Sequence, residues 1–88
     1  MTQRLHAGDV SRQLGDAGHV HSEWDGTDWE PGYRSTQRGP RLVHTFHDGP
    51  GEEHHLALYA LALRNLGYHV VAEQQDGGGR RRLAVTRP

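Results

Sequence analysis

Eight histidines in 88 residues are the first side chains here that could do chemistry. A neutral imidazole can ligate a transition metal, and its proton comes and goes near neutral pH. His19 and His21, two residues apart, share one face of a strand, a spacing at which a pair can chelate Zn²⁺ or Ni²⁺. His44 and His47 fall on opposite faces of theirs. His54 and His55 are adjacent at a helix start and point about 100° apart. No HExxH spacing is present. The histidines therefore read first as solvated or cap-adjacent groups, with a His-dependent metal-binding protein as one alternative. No cofactor and no metal ligand set is assigned. Between about pH 7 and 5.5 the histidines would still carry the chain from near neutral to clearly positive.

Nucleophilic chemistry has little to work with. The chain contains no cysteine, which excludes disulfides, thiolate metal sites and a thiol nucleophile. Ser11, Ser22 and Ser35 stand in no nucleophile elbow. Gly77-Gly78-Gly79 joins two strand-like runs and reads as a hairpin turn, not a phosphate loop. No catalytic residue is assigned, and a non-enzymatic protein is the expectation.

Two surface constellations remain. Glu23-Trp24-Asp25-Gly26-Thr27-Asp28-Trp29-Glu30 lacks the ligand ladder of an EF-hand and reads as an acidic hairpin tip. Trp24, Asp25, Asp28 and Trp29 are its candidate protein-partner patch, with exposed tryptophan as the anchor. Arg80, Arg81 and Arg82 follow the glycine turn and are the candidate contact for nucleic acid or an acidic partner. On a strand, Arg80 and Arg82 project one way and Arg81 the other.

Composition qualifies the arginines. All ten basic residues are arginine; lysine and isoleucine are absent and Asn65 is the single asparagine. Residues with AT-rich codons are thus avoided, which points to a gene from a GC-rich bacterium or its phages and plasmids. Residues 1–60 carry five arginines against nine carboxylates, and residues 61–88 carry five against two. An acidic and a basic end follow, suited to head-to-tail association or to an anionic partner. The expected organisation is one small domain over 1–88, with 1–8 frayed. So small a core favours a homo-oligomer. No signal-like segment or membrane-length apolar run occurs, and a cytoplasmic location with no membrane contact is expected.

The elements that must position these groups follow from periodicity. Asp9 is placed as the N-cap of a helix through Ala17, with Val10, Leu14 and Ala17 on one face and Gly18 as its stop. His19 to Trp24 alternates as a strand that sets Val20, Ser22 and Trp24 on one side, and Trp24 and Trp29 flank a hairpin as a cross-strand pair. Pro31 and Gly32 make the return strand an edge or a bulged one. Arg41 to His47 is a strand, and Asp48-Gly49-Pro50-Gly51 opens a helix with Glu52 and Glu53 in its first turn. Leu56, Tyr59, Leu63 and Leu66 form its apolar stripe, which Leu58, Leu61 and Ala62 widen. Tyr68 to Gln75 and Arg80 to Thr86 pair as a hairpin. The fold class is α+β in two layers, an antiparallel sheet of four to five strands with two helices on one face, in the order α-β-β-(β)-α-β-β. Leu56, Tyr59, Leu63, Leu66, Leu83 and Val85 are the expected core.

Tyr59 to Arg87, about a third of the chain, resembles the recognition helix and wing of winged-helix repressors, which implies a DNA-contacting hairpin. A strand over Arg41 to His47 stands where that family has the preceding helix. The α-β-β-β-α order of residues 9–67 is similar to double-stranded-RNA-binding domains, although Glu52-Glu53-His54-His55 replaces their lysine-rich helix start. The pattern LYALALRNLGYHVV…RRLAVTR resembles small uncharacterised proteins of actinobacteria and their mobile elements. The expected function is a non-enzymatic binding or regulatory protein, with Arg80–Arg82 contacting DNA. The alternative is a protein–protein adaptor or homodimer, using the Trp24/Trp29 hairpin and pairing the arginine strand edge to edge.

Overall fold

Which side chains a strand gives to the core is set by its alternation, and here four strands agree on one face. The computed structural model describes residues 4–88. Its elements are α1 (Ala7–Asp16), β1 (Gly32–Gly39), β2 (Leu42–Asp48), α2 (Glu52–Asn65), β3 (His69–Gln74) and β4 (Arg81–Thr86). The order α-β-β-α-β-β and the two-layer α+β class are those read from the sequence. The strands are antiparallel throughout and lie in the spatial order β1-β2-β4-β3. Helix α2 therefore carries the chain from β2 to the far edge, and the last strand returns to fill the gap.

The register aligns Tyr33, Ser35 and Gln37 with His47, Thr45 and Val43, then Val43 and Thr45 with Val85 and Leu83. Val70 and Ala72 of β3 continue the same rows. This face meets both helices. Val10 and Leu14 of α1 and Leu56, Tyr59, Ala60 and Leu63 of α2 pack on Tyr33, Val43, Val70, Leu83 and Val85. On the opposite face, with Arg34, His44, Phe46, Val71, Glu73 and Arg82, no helix or second sheet lies among the described residues.

Both helices stop in the same way. Tyr68 N–H reaches back to Leu63 O and His19 N–H to Leu14 O, each at 3.1 Å, closing a Schellman motif. Gly18 (φ 94°) and Gly67 (φ 95°) supply the left-handed residue that each motif needs.

Four expectations change. Helix α1 begins at Ala7, two residues before the proposed Asp9 cap. The capping work falls to Gln37, whose Oε1 accepts from Ala7 N–H at 2.7 Å while its amide donates to Leu5 O. Residues 4–8 are correspondingly not a loose lead-in, since Leu5 is fully buried in the core; Met1, Thr2 and Gln3 lie outside the described residues. Leu66 leaves the expected core at 54% exposure, and Leu58 and Leu61 are exposed too. A single four-stranded layer covers one side of α2, and Ala60 takes the inward place that Leu66 loses by lying past the helix end.

The fourth change concerns His19–Trp24, which is not a strand of the sheet. Its strand-like pairing is limited to isolated bridges, His21 with Tyr33 and Trp24 with Trp29. Val20 and Trp24 face solvent while Ser22 is buried, its hydroxyl donating to Glu30 O at 2.7 Å. The segment is pinned where Tyr33 N–H bonds Val20 O and Ser22 N–H bonds Tyr33 O, both at 2.8 Å. The edge character expected of the return strand is found in β1, which ends the sheet; its register slips not at Pro31 and Gly32 but at the far end, between Gln37 and Gly39.

Gly32 makes that pinning possible. A Cβ there would sit 2.4 Å from Val20 O and 2.7 Å from Ser22 N, both backbone atoms. Gly32→Ala is therefore expected to lift residues 20–22 off β1 and to cost about 1–3 kcal/mol, read as a lower urea midpoint.

Candidate functional site

The last two residues of β2 point to opposite faces, and the polar chemistry of the molecule gathers on them. Asp48 turns to the open face and is 7% exposed. A carboxylate that far out of water needs cations and donors. Arg34 of β1 donates from Nε to Asp48 Oδ2 at 3.0 Å and from Nη2 to Oδ1 at 3.4 Å. Arg80, just before β4, donates from Nη2 to Asp48 Oδ1 at 3.1 Å and to His47 O at 2.8 Å. Burial alone would raise the Asp48 pKa, but the Arg34 hydrogen bonds and charge, with the Arg80 hydrogen bond, carry it below the ordinary 3.8. Ser22 is spent on the Glu30 carbonyl, so the arginines are the donors that matter.

Flat groups complete the arrangement. The Arg34 guanidinium lies 4.3 Å from the Trp29 ring centroid, and the Arg80 guanidinium lies 5.1 Å from that of Phe46. Arg80 Nε also comes within 3.6 Å of Glu52 Oε2. One chain of contacts thus runs Trp29, Arg34, Asp48, Arg80, Glu52, from the acidic hairpin to the start of α2.

His47 turns the other way, into the core. Its Nε2 lies 3.1 Å from Pro50 O, which can only accept, so Nε2 carries the proton. Its Nδ1 then accepts from the Tyr59 hydroxyl at 2.7 Å. Both ring nitrogens are thereby occupied, and the imidazole has no lone pair left for a metal or substrate. Burial, then the neighbouring His55 stacked at 4.1 Å, lowers the His47 pKa below 6.5. Burial raises Tyr59 to about 12, with Tyr33 and Asp48 adding to it. A cleft of about 340 Å³ opens beside this group, with His19 edge-on to Tyr59 at 4.9 Å.

The three candidate arginines come together at one end of the sheet, already engaged. Arg80 is in the Asp48 clamp. Arg81 projects towards α2, with Nη2 3.9 Å from Glu53 Oε2 and its backbone N–H on Glu52 Oε1 at 3.2 Å. Arg82 faces its cross-strand partner Glu73, Nε to Oε1 at 3.0 Å. The expected split of Arg80 and Arg82 from Arg81 is what the strand geometry produces. Edge-to-edge pairing of this strand is excluded, because β4 lies inside the sheet between β2 and β3.

Trp24, Asp25, Asp28 and Trp29 form the expected hairpin. Trp24 and Trp29 pair across it with rings edge to face at 5.5 Å. Asp25 Oδ1 accepts from Thr27 N–H and Asp28 N–H, each at 2.8 Å, and Asp28 Oδ1 accepts from Trp29 N–H at 2.8 Å. The Asp28 and Thr27 backbone donors hold Asp25 below its ordinary pKa. Trp24 is 54% exposed and Trp29 37%.

The histidine pair proposed for metal is divided: His19 rests on Tyr59 and His21 on Tyr33, with His21 Nδ1 on Glu23 at 2.9 Å. Among the described residues no group of three or more His, Asp or Glu is placed to hold a metal ion. Among the same residues no helix is long and apolar enough to cross a membrane.

The Asp48 clamp, with Arg34 and Glu52, escaped the sequence reading. Its only trace there is alternation, which sets Phe46 and Asp48 on the side away from His47 without naming their partners.

Removing the carboxylate takes the counter-ion of Arg34 and leaves Arg80 with Glu52 alone; both arginines are partly exposed, so Asp48→Ala is expected to cost about 1–3 kcal/mol by urea denaturation. For His47 the folded pKa lies below the unfolded one. Its contribution is whole above pH 6.5 and is lost as pH falls through the folded value, where the unfolded chain binds the extra proton. His44, lowered by burial and then by Arg82, acts in the same window. Urea midpoints measured at about pH 7.5 and 5.5 should therefore fall on acidification, and His47→Asn should flatten the fall without abolishing it. A slope unchanged in His47→Asn would refute this role. Comparison with protein-family models, with curated proteins and with solved structures finds no match, so the reading of these surfaces rests on their geometry.

Proposed function

We propose that this protein is a non-enzymatic protein-binding module that presents the Trp24–Trp29 hairpin to a basic protein surface. The observation that carries this reading is an exposed tryptophan pair held in one geometry by its own loop. Trp24 and Trp29 offer large apolar area at small entropic cost, since Asp25 and Asp28 already fix the turn between them. Glu23, Asp25, Asp28 and Glu30 adjoin the pair in sequence, and this local acidity favours a cationic partner. Arg34 buttresses Trp29 from behind and ties the hairpin to Asp48.

Contact of Arg80–Arg82 with DNA is less well supported by the same geometry. Each guanidinium already faces a carboxylate, so phosphate binding would first have to release Asp48, Glu53 or Glu73.

Both readings meet one set of experiments. A hexa-arginine peptide is expected to quench the fluorescence of Trp24 and Trp29 saturably, with an affinity that falls as salt rises. Asp25→Asn combined with Asp28→Asn, and separately Trp24→Ala, should weaken that binding at least about tenfold. Binding indifferent to both changes would refute the hairpin as the contact. Retardation of a mixed-sequence DNA duplex at low salt, lost when Arg80, Arg81 and Arg82 become Gln, would establish the DNA reading in its place.

A further inference from the structure

The two edges of the sheet are treated differently. The outer edge of β1 is covered where residues 20–22 bond to Tyr33, and Gln37 ties its other end to Leu5 and Ala7. Strand β3 ends the sheet on the other side, and among the described residues no segment pairs with its outer edge. Its sequence, His-Val-Val-Ala-Glu-Gln, has neither proline nor lysine to discourage pairing.

Which groups the edge offers follows from the hairpin. Gln75 N–H bonds Arg80 O at 3.1 Å, so the odd-numbered residues of β3 turn their backbone groups towards β4. Val70, Ala72 and Gln74 turn theirs outward, and Arg64 confirms the direction by donating from Nη2 to Val70 O at 2.8 Å. On the open face Val71 is 51% exposed. On the helix face a groove of about 400 Å³ runs between α2 and the β3–β4 hairpin, floored by Leu56, Ala57, Ala60, Ala72 and Leu83. Glu53 and Arg64 stand along its rim, near opposite ends of α2.

We propose that β3 is the interface of a two-fold symmetric homodimer, in which the β3 strands of two copies pair antiparallel and make one eight-stranded sheet. A two-fold axis at Val71 sets that side chain against its copy as a non-hydrogen-bonded pair, where side chains come closest. Val70 and the partner's Ala72 then exchange backbone hydrogen bonds, as the outward direction of both requires. His69 falls opposite the partner's Glu73, a donor against an acceptor. Shifting the register by one pair either way would set Val71 against the partner's Glu73 or the partner's His69, so the side chains select this pairing.

The helix layer supports the same axis. The two α2 helices run antiparallel beside the new junction, which brings Glu53 of each copy towards the partner's Arg64 and sets alanines between them. Small side chains let the helices approach, and opposite charges lie at the two ends of the contact. The partner's Ala72 N–H takes over the Val70 carbonyl, which frees Arg64 to turn to the partner's Glu53. This interface uses none of the Trp24–Trp29 hairpin and is independent of the function proposed for it.

Sedimentation velocity across a micromolar concentration series tests the interface, with far-UV circular dichroism reporting the fold. The wild-type chain, 9.9 kDa as a monomer, is expected to sediment as a dimer. Val71→Lys, an exposed change on a strand edge, should give a folded monomer. Glu53→Arg and Arg64→Glu should each weaken dimerisation, and the two together should restore it. A wild-type monomer throughout the series overturns the proposal. So does a dimer untouched by Val71→Lys, or a double variant no better than the single ones.

Discussion

A carboxylate taken out of water must be answered by something, and in this molecule the answer organises the open face. Asp48 closes β2, and its two arginines come from β1 and from the turn before β4. Those strands flank β2 on either side, so satisfying one buried charge also sets the spacing of three strands. The same arginines reach outward to Trp29 and to Glu52. Hairpin, sheet and the first turn of α2 thus meet at a single charge. In a domain of this size, with 13 buried apolar residues among those described, such a polar tie adds a constraint on geometry to a small core.

The residue before it does the complementary work on the other face. His47 joins the Tyr59 hydroxyl of α2 to the Pro50 carbonyl of the loop that opens α2. Neighbouring residues on one strand therefore fix the two layers to each other, one by charge and one by a neutral hydrogen-bonded ring. Their responses to acid differ accordingly. The histidine is disturbed near its ordinary range, whereas the carboxylate holds its charge well below it.

Much of the fold was legible because it rests on local rules. Glycine after each helix, alternation in Arg41–His47 and the Asp-Gly-Gly-Gly turn led to the element order and to the α+β class. The Trp24–Trp29 pairing was legible for the same reason, as a turn between two aromatics. What escaped depends on residues far apart in sequence. Leu5 is held at the core by bonds from its backbone to Pro40 and Gln37, and Leu66 is exposed because it lies past the end of α2. The arginine run was correctly divided between faces. That Asp48 and Glu53 answer two of its charges required knowing that β2 and the start of α2 lie beside β4.

The interior place of β4 has a consequence for how the molecule assembles. The four strands are synthesised in the order β1, β2, β3, β4, but the fourth occupies the middle of the finished sheet. Until it arrives, β2 and β3 face each other across an empty lane, each with unsatisfied backbone groups, and Asp48 lacks one of its two arginines. The β1–β2 and β3–β4 hairpins each form from contacts close in sequence, whereas the β2–β4 pairing that joins them spans the whole of α2. Closure of the lane, delivery of Arg80 to the buried carboxylate and burial of Leu83 and Val85 then fall in one step. That coupling makes folding cooperative, and it also leaves a nascent chain with two open strand edges until its final turn is made.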